Sequence, residues 1–449
     1  MNTNEVQFKK MLEAPMPKLI ASLAIPTVLS QLITTIYNTA DTYFVAQIGT
    51  SATAAVGVVF SLMAIIQAVG FGLGMGSSSL ISRRLGAKDE KAANKYGSSA
   101  VAAAVTFGIV LMIVGLLTLQ PFMKLLGSTE TILPYACDYA RYILIGAPIM
   151  CSSFILNSLL RSEGHTLYAM WGICSGGILN MLLDPLFIFT LDMGIRGAAL
   201  ATILSQVISF VILASFFITK KSILSLSIKS VSKNASDYLL IFKIGIPTIC
   251  RQMLGSISSA LLNRSAATYG DAAVGAITIA NKIYMFVRNI VLGLGQGFQP
   301  VAGYNFGAQN KKRVKEAFLF TCSVGTVICS TAAIIIGLNA PSIIIWFRKD
   351  DLEVIQIGTK ALYFASAVMP FMAYSTNVNQ MYQCLGFSKQ ATFLASCRQG
   401  TCFVPLILIL PLFIGLTGVQ ISQPAADLLT FIISVPFQIR FFKKQLSTQ

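Results

Sequence analysis

The residues best suited to chemistry in this 449-residue chain are three carboxylates that lie inside long apolar stretches, Asp41, Asp184 and Asp427. A carboxylate in an apolar layer such as a bilayer costs about 2.5–3.5 kcal/mol, so it needs a proton, a cation or a charged partner. Asn180 precedes Asp184 by four residues, which places both on one face of a helix. Pro185 lacks a backbone N–H and can free a carbonyl beside that pair. Oxygen ligands of this kind suit a hard cation, whereas a lone carboxylate suits a proton.

Each carboxylate also has a structural alternative. Asp41 can lie at the outer end of its apolar stretch, and Asp184 can be a neutral or paired packing residue. Asp427 fits a functional and a packing role equally well. A pair of carboxylates can hold one proton between them and release it when one side of the protein opens.

Basic residues accumulate in the apolar stretches of the second half of the chain. They are Arg251, Arg264, Lys282, Arg288 and Arg398. Long cationic side chains can extend to a membrane interface, which is the alternative for any one of them. Five together predict that part of the second half faces a wet, basic cavity that contacts substrate.

Other reactive residue types give no catalytic pattern. The single histidine, His165, has no partners of the right type near it in sequence, and the nine cysteines favour apolar packing over disulfides or metal ligation. Gly72–Gly76 lies in an apolar stretch, where small residues allow helices to approach, and no phosphate-binding loop is present. The sequence therefore predicts a protein that is not an enzyme.

The elements that must position these residues are membrane helices. Charged residues make up 11% of the chain, less than half the share of a soluble domain, and the mean hydropathy is +0.72. About 20 apolar residues span a bilayer, and the runs are solid rather than alternating, which excludes a β-barrel. Twelve spans are predicted, near 19–46, 52–82, 97–123, 131–160, 166–191, 196–219, 238–266, 272–304, 316–345, 353–384, 389–413 and 417–441.

The excess of basic residues indicates orientation rather than nucleic-acid binding. The formal net charge is +16, and most basic residues lie in alternate loops, which is typical of cytoplasmic loops. We expect both termini to be cytoplasmic, in a multi-pass membrane protein. The loop with Arg348 and Lys349 is the one exception to the alternation.

The two halves of the chain are an internal repeat. Gly72, Gly76 and Gly86 match Gly293, Gly297 and Gly307 at a constant offset of 221 residues, and Pro26 matches Pro247 at the same offset. Six spans per half predict two lobes related by a pseudo-two-fold axis along the membrane normal, with a binding site between them. The predicted divisions are a first lobe at 1–219, a cytoplasmic linker at 220–237 and a second lobe at 238–449. This design favours alternating access, and hence a transporter.

Several motifs together resemble the multidrug and toxic compound extrusion (MATE) transporters. They are the Pro26, Gln31 and Asp41 pattern, the Arg161-Ser-Glu-Gly164 loop, Leu179–Pro185, Gly194–Thr202, Gly295–Pro300 and Tyr304–Ala308. The resemblance covers essentially the whole chain and is greatest to the bacterial branch that includes DinF-like and MepA-like exporters. It implies a multi-pass protein of a bacterial plasma or inner membrane.

The resemblance implies an antiporter that exports drugs or amphipathic organic compounds against an influx of H⁺ or Na⁺. It places the cation-coupling site at Asp41, Asn180, Asp184 and Thr202, with Asn157 a weaker addition, and the first four would be the ligands of Na⁺. It implies no cofactor beyond the coupling ion, and partners limited to a small amphipathic substrate and the lipid bilayer, with a monomeric chain. The alternative is a flippase for lipid-linked saccharides of the same superfamily, whose cavity should be more uniformly cationic.

Overall fold

The protein is built of long helices. The computed structural model describes residues 3–349 and 351–446, and within these ranges it contains helices and turns but no strand. This confirms the predicted all-α integral membrane fold.

The first lobe contains six long helices, an amphipathic N-terminal helix and a short helix between spans. Their bounds are α1 Thr3–Glu13, α2 Met16–Ala46, α3 Thr50–Gly86, α4 Glu90–Leu117, α5 Leu119–Leu125, α6 Leu133–Ser162, α7 Thr166–Pro185 and α8 Gly194–Ile218. A π-helical turn, Leu186–Thr190, continues α7 directly after Pro185. Proline cannot donate the regular helical hydrogen bond, which accounts for the change of winding there.

The second lobe repeats this arrangement after a connection that spans residues 219–234. Its helices are α9 Ala235–Ala267, α10 Asp271–Gly307, α11 Lys311–Phe347, α12 Leu352–Cys384, α13 Ser388–Ser396, α14 Phe403–Ile414 and α15 Leu416–Phe441. A π-helical segment, Cys397–Thr401, joins α13 to α14, so the two form one span. Gly415, with φ +57°, makes the turn between the last two spans, in the gap between the predicted spans 389–413 and 417–441.

Twelve spans result, although composition alone identifies eleven of them. Within the described ranges, eleven helical segments are long and apolar enough to cross a membrane. The twelfth span is α9, which is 33 residues long but carries Lys243, Arg251 and Arg264 among its apolar residues. The exact lobe boundaries at 219 and 238 stay a prediction.

The repeat is visible in the backbone as well as in the sequence. Asp89 caps α4 by accepting from the Ala92 N–H, and its counterpart Asn310 caps α11 by accepting from the Arg313 N–H. The residues just before these caps, Lys88 and Gln309, both adopt a left-handed conformation with φ of 60° and 61°. Such matched strain in non-glycine residues supports a true duplication.

The matched glycines of the repeat form the contact between the lobes. A Cβ at Gly307 would overlap the Arg83 carbonyl, and a Cβ at Gly86 would overlap the Tyr304 carbonyl. Since Arg83 corresponds to Tyr304 and Gly86 to Gly307, each contact is the symmetry mate of the other. Gly72 and Gly76 approach α9 in the same way that Gly293 and Gly297 approach α2.

These contacts close one end of the bundle. They lie toward the turns at 87–89 and 308–310, which are flanked by basic residues. Hydrogen bonds between the lobes add to the closure: Thr27 Oγ1 donates to the Gly293 carbonyl at 2.7 Å, and Ser79 Oγ donates to the Cys384 carbonyl at 2.8 Å. The buried core of the first lobe extends through this closed end into the second.

Candidate cation site and central cavity

The carboxylates of the first lobe are brought together by helices that pack side by side. The α2 helix packs on α7, α7 on α8, and α8 on α6. Asp41 lies near the end of α2, and Asp184 lies in the last turn of α7 before Pro185. Both are buried, with exposed fractions of 6% and 0%.

Asp184 has the neighbour that helical spacing predicts. Asn180 Nδ2 donates to Asp184 Oδ1 at 3.2 Å across one helical turn. The Asn180 amide therefore satisfies one oxygen of the carboxylate, and Asp184 Oδ2 is left without a partner among the described residues.

Asp41 and Asp184 face each other within hydrogen-bonding range. Two carboxyl groups can share a hydrogen bond only when one of them holds a proton, because two buried anions repel. Asp41 Oδ1 is likewise buried without another partner among the described residues. The pair is thus an acceptor-rich site that needs a proton or a cation to be stable in an apolar surrounding.

Thr202 and two tyrosines complete the surroundings of this pair. Thr202 is buried and its hydroxyl donates to the Ala198 carbonyl of its own helix at 3.0 Å, which leaves its lone pairs available. Tyr139 lies against Thr202 and in electrostatic contact with both carboxylates, and Tyr37 is beside Asp41. Sequence reasoning missed the tyrosines because aromatic residues are common in apolar spans and only tertiary packing brings these to the site.

Asn157 does not join this group. Its Nδ2 donates to the Ala169 carbonyl at 2.8 Å, and Ala169 is 15 residues before Asp184, roughly 22 Å along α7. The counterpart Asn379 makes the same bond to Ala391 at 2.6 Å in the second lobe. This recurrence shows that Asn157 ties the end of one span to the start of the next.

The donor atoms suit a hard monovalent cation better than a transition metal. The described residues contain no group of three or more His, Cys, Asp or Glu side chains that could hold a metal ion. Two carboxylates with the amide oxygen of Asn180 and the hydroxyl of Thr202 form an all-oxygen set, which is compatible with Na⁺ and equally with a proton on the carboxyl pair.

A cavity of about 260 Å³ lies between the two lobes and reaches this site. Asp41, Asn180 and Thr202 line it from the first lobe, and Arg251, Asn289 and Gln296 line it from the second. Its walls are mixed, with amides and hydroxyls among methionine and phenylalanine side chains. Such a lining suits an amphipathic organic molecule.

Arg161 is a cavity residue that sequence reasoning did not assign. It is buried at the end of α6, its Nη1 donates to Gln296 across the lobes, and it lines the central cavity. The Arg161-Ser-Glu-Gly164 motif marks the position, but its closeness to the end of a span pointed to a loop. The cavity therefore has a basic residue from each lobe, Arg161 and Arg251, together with Asp41.

Three of the five basic residues predicted for the second lobe converge, and two do not. Arg251, Arg288 and Arg398 lie within electrostatic range of one another. Arg264 and Lys282 are exposed and line neither the central cavity nor the pocket that holds Arg288 and Arg398. Arg264 lies in the last turn of α9, where a long cationic chain reaches an interface.

Asp427 is paired inside the second lobe, which favours the packing role of its two alternatives. Arg398 Nε donates to Asp427 Oδ1 at 2.6 Å, and both groups also bond to the Tyr284 hydroxyl. Gln423 Nε2 donates to the same carboxylate at 3.2 Å. Asp427 is therefore fully satisfied inside the second lobe.

Glu163 and His165 form a separate polar cluster at the loop between α6 and α7. Glu163 is completely buried and accepts from Ser222 Oγ at 2.6 Å and from the Ile223 N–H at 2.8 Å. Burial raises the pKa of Glu163 to about 7, and burial lowers the pKa of His165 to about 4. His165 is thus neutral at pH 7, and its 3.9 Å contact with Glu163 is not an ion pair there.

Comparison with known proteins relates both the sequence and the fold to one family. The family model described as MatE matches residues 26–186 and 247–409, one match in each lobe. The multidrug export protein MepA of Staphylococcus aureus (strain NCTC 8325 / PS 47) is 28% identical over 419 residues, which cover 92% of each chain.

Solved structures agree over nearly the entire chain. The crystal structure of a MATE protein in complex with MaL6 superposes with a TM-score of 0.92 at 27% identity, covering 97% of this chain and 98% of that one. A structure described as the outward-facing conformation of a multidrug resistance MATE family transporter gives a TM-score of 0.91 with the same identity and coverage.

Proposed function

Because this chain belongs to the MATE family of transporters, we propose that it is an antiporter that exports amphipathic organic compounds in exchange for H⁺ or Na⁺. The relative named as a multidrug export protein supports the substrate class. The observation that carries the coupling is the pair of facing, buried carboxylates, Asp41 and Asp184, beside a cavity of about 260 Å³.

The closed end of the bundle is the cytoplasmic end in this proposal. The basic residues that flank the turns at 87–89 and 308–310 favour that side. The cavity would then be accessible from outside, both termini would be cytoplasmic, and the chain would work as a monomer with its two lobes moving against each other.

Loading of the carboxyl pair couples the ion to the substrate. A proton or Na⁺ from outside cancels one negative charge of the pair, which reduces the repulsion between Asp41 and Asp184 and allows α2 and α7 to approach. Pro26 interrupts the hydrogen-bond ladder of α2 and is a natural point for that helix to bend. Less room then remains for substrate at the first-lobe wall, so ion binding and substrate binding oppose each other. One charge moving through 100 mV supplies about 2.3 kcal/mol, enough for tens-fold accumulation.

The mixed lining of the cavity favours export of amphipathic compounds over a flippase for lipid-linked saccharides. A cavity for a pyrophosphate-linked sugar should be uniformly basic, whereas Asp41 here lines the same cavity as Arg161 and Arg251. The paired Asn180 and Asp184 also have no use in such a flippase.

Vesicle transport tests this proposal. We expect Asp41→Asn and Asp184→Asn each to reduce gradient-driven export of a fluorescent amphipathic dye by at least about tenfold, because each variant removes one of the two carboxylates that together hold the proton or Na⁺. Asp271→Asn, an exposed acid in the first turn of α10, is the matched control and should transport normally. Comparing a Na⁺ gradient with a pH gradient identifies the ion. Full gradient-driven export by both site variants would refute the coupling site.

A further inference from the structure

A second, much smaller cavity lies inside the second lobe. Its volume is about 10 Å³, roughly the space of one water-sized occupant. Helices α9, α10 and α15 and the π-helical segment Cys397–Thr401 enclose it. The polar residues that line it include Ser258, Asn281, Tyr284, Arg288, Arg398 and Gln399. π-Helical turns inside a span are frequent at functional sites.

Arg288 is buried at this cavity without an adequate partner. Its exposed fraction is 7%, its Nε has no hydrogen-bond acceptor among the described residues, and its Nη1 reaches only the Met285 sulfur at 3.3 Å. A guanidinium group has five N–H donors and a permanent charge, and a thioether is a weak acceptor. A buried cation in this state requires a counter-charge.

The protein does not supply that counter-charge. Asp427 is the one fully buried carboxylate of the second lobe within the described ranges, and Arg398, Tyr284 and Gln423 already occupy both of its oxygens. Arg251 and Arg398 add further positive potential at Arg288. Three arginines against one carboxylate leave an excess of positive charge at this point of the lobe.

We propose that the second-lobe cavity is a binding site for a small monovalent anion of chloride size. Arg288 Nε would donate to the anion. Gln399 can contribute as well, because its Oε1 is buried without a partner among the described residues and its side-chain amide can turn the NH₂ group inward instead. A volume this small holds at most one monatomic ion and excludes an organic carboxylate. The site is separate from the Asp41–Asp184 pair, so it does not depend on the coupling proposed above.

Thermal stability of the purified full-length protein measures this binding. Chloride replaces gluconate at constant Na⁺ concentration, ionic strength and pH, so that the cation site sees no change. Because the anion binds the folded state, we expect Tm to rise saturably with chloride, on the order of several degrees. Bromide should act similarly, and benzoate, which carries the same charge on a larger body, should not.

Variants expected to weaken chloride binding and a variant expected to strengthen it together distinguish an effect on binding from a general loss of folding. Arg288→Gln should abolish the chloride response, and Arg288→Lys should shift it to at least about tenfold higher chloride because the fork of donors is lost. Asp427→Asn removes the competing negative charge and should shift the response to at least about tenfold lower chloride, a gain that misfolding cannot produce. The matched control, Arg264→Gln, removes an exposed arginine of the same lobe and should respond as the wild type does.

Three results would contradict the proposed anion site. A wild-type Tm that is indifferent to chloride would mean that water fills the cavity, and an unchanged response in Arg288→Gln would place the anion elsewhere. Stabilisation by benzoate without chloride would assign the charge to an organic substrate. Each of these results overturns the proposal, and none of them bears on ion-coupled export.

Discussion

Glu163 shows how one residue can tie the interior of a lobe to the chain that leaves it. Its carboxyl group accepts hydrogen bonds from Ser222 and from the backbone of Ile223 and Leu224, at the start of the connection between the lobes. Gln7 of α1 donates to the backbone carbonyl of the same residue. Burial nevertheless dominates these hydrogen bonds and raises the pKa of Glu163 to about 7.

A pH-dependent stability follows from this shift. The folded state holds the Glu163 proton more tightly than the unfolded state, where the carboxyl has its ordinary pKa near 4.5. The contribution is therefore fully favourable below about pH 4.5 and is lost as the pH rises toward 7. The loss amounts to about 3 kcal/mol in total, and above about pH 7 the stability no longer changes with the protonation of Glu163.

The difference in stability between the wild type and Glu163→Gln isolates this contribution. The contributions of His165 and the other titrating groups are present in both proteins and cancel in the difference. We expect this difference, measured as Tm in detergent from pH 5 to 8, to move in favour of Gln as the pH rises and to level off above about pH 7. Glu353→Gln, at an exposed position, should show no such trend. A pH-independent difference for Glu163→Gln would mean that the carboxyl titrates normally.

At the scale of residues, the sequence predicted the side-chain contacts that depend on spacing within one helix. Asn180 and Asp184 are four residues apart on a helix, so their contact follows from helical geometry alone. Arg161 reaches the cavity, and Tyr139 reaches the carboxylate pair, through packing between distant helices, which spacing does not encode. The pairing of Asp427 with Arg398 likewise joins two spans that no local pattern relates.

At the scale of helices, the reciprocal glycine contacts determine how closely α3 and α10 can approach. Gly307 has no room for a side chain because the Arg83 carbonyl occupies the position of its Cβ. An added methyl group must therefore push the two helices apart, at a cost of about 1–3 kcal/mol to the closed end.

We expect Gly307→Ala to destabilise the closed state and reduce export by at least about tenfold. Gly275→Ala, in the same helix with no atom near its Cβ, should transport normally. Opening can be followed in a cysteine-free background with Ser79→Cys, a buried position in the closed contact, as labelling by a membrane-impermeant thiol reagent. Unchanged labelling and unchanged transport in Gly307→Ala would show that this contact does not separate during the cycle.

The sequence predicted the helices more completely than their contacts. Hydrophobic length predicted all twelve spans to within several residues, including α9, whose charges lower its hydropathy. The repeat identified Gly86 and Gly307 as equivalent residues. It could not show that Gly86 contacts Tyr304 and that Gly307 contacts Arg83, because these contacts depend on how the two lobes are placed in space.

At the scale of the whole molecule, charge is divided between the lobes. The first lobe carries the facing carboxylates Asp41 and Asp184, and the second carries Arg251, Arg288 and Arg398 with the single buried carboxylate Asp427 among its described residues. The sequence showed this division, but only the fold shows which charges border the central cavity. Arg251 does so directly, together with Arg161 and Asp41.

This arrangement predicts a preference for substrates by charge. When one cation has loaded the carboxyl pair, at most one negative charge remains on it, and the two positive charges of Arg161 and Arg251 outweigh that charge in the cavity. An anionic dye should therefore be exported faster than a cationic dye of similar size, measured as initial rates in vesicles under one gradient.

A cation about 4–6 Å from a ligand charge contributes on the order of a few kcal/mol at the effective dielectric constant of a protein, so Arg251→Gln should reduce the ratio of rates by at least about tenfold. Arg264→Gln should leave that ratio unchanged, since Arg264 is exposed and does not line the cavity. Equal export of both dyes, with no effect of Arg251→Gln, would mean that the basic second lobe does not select the substrate.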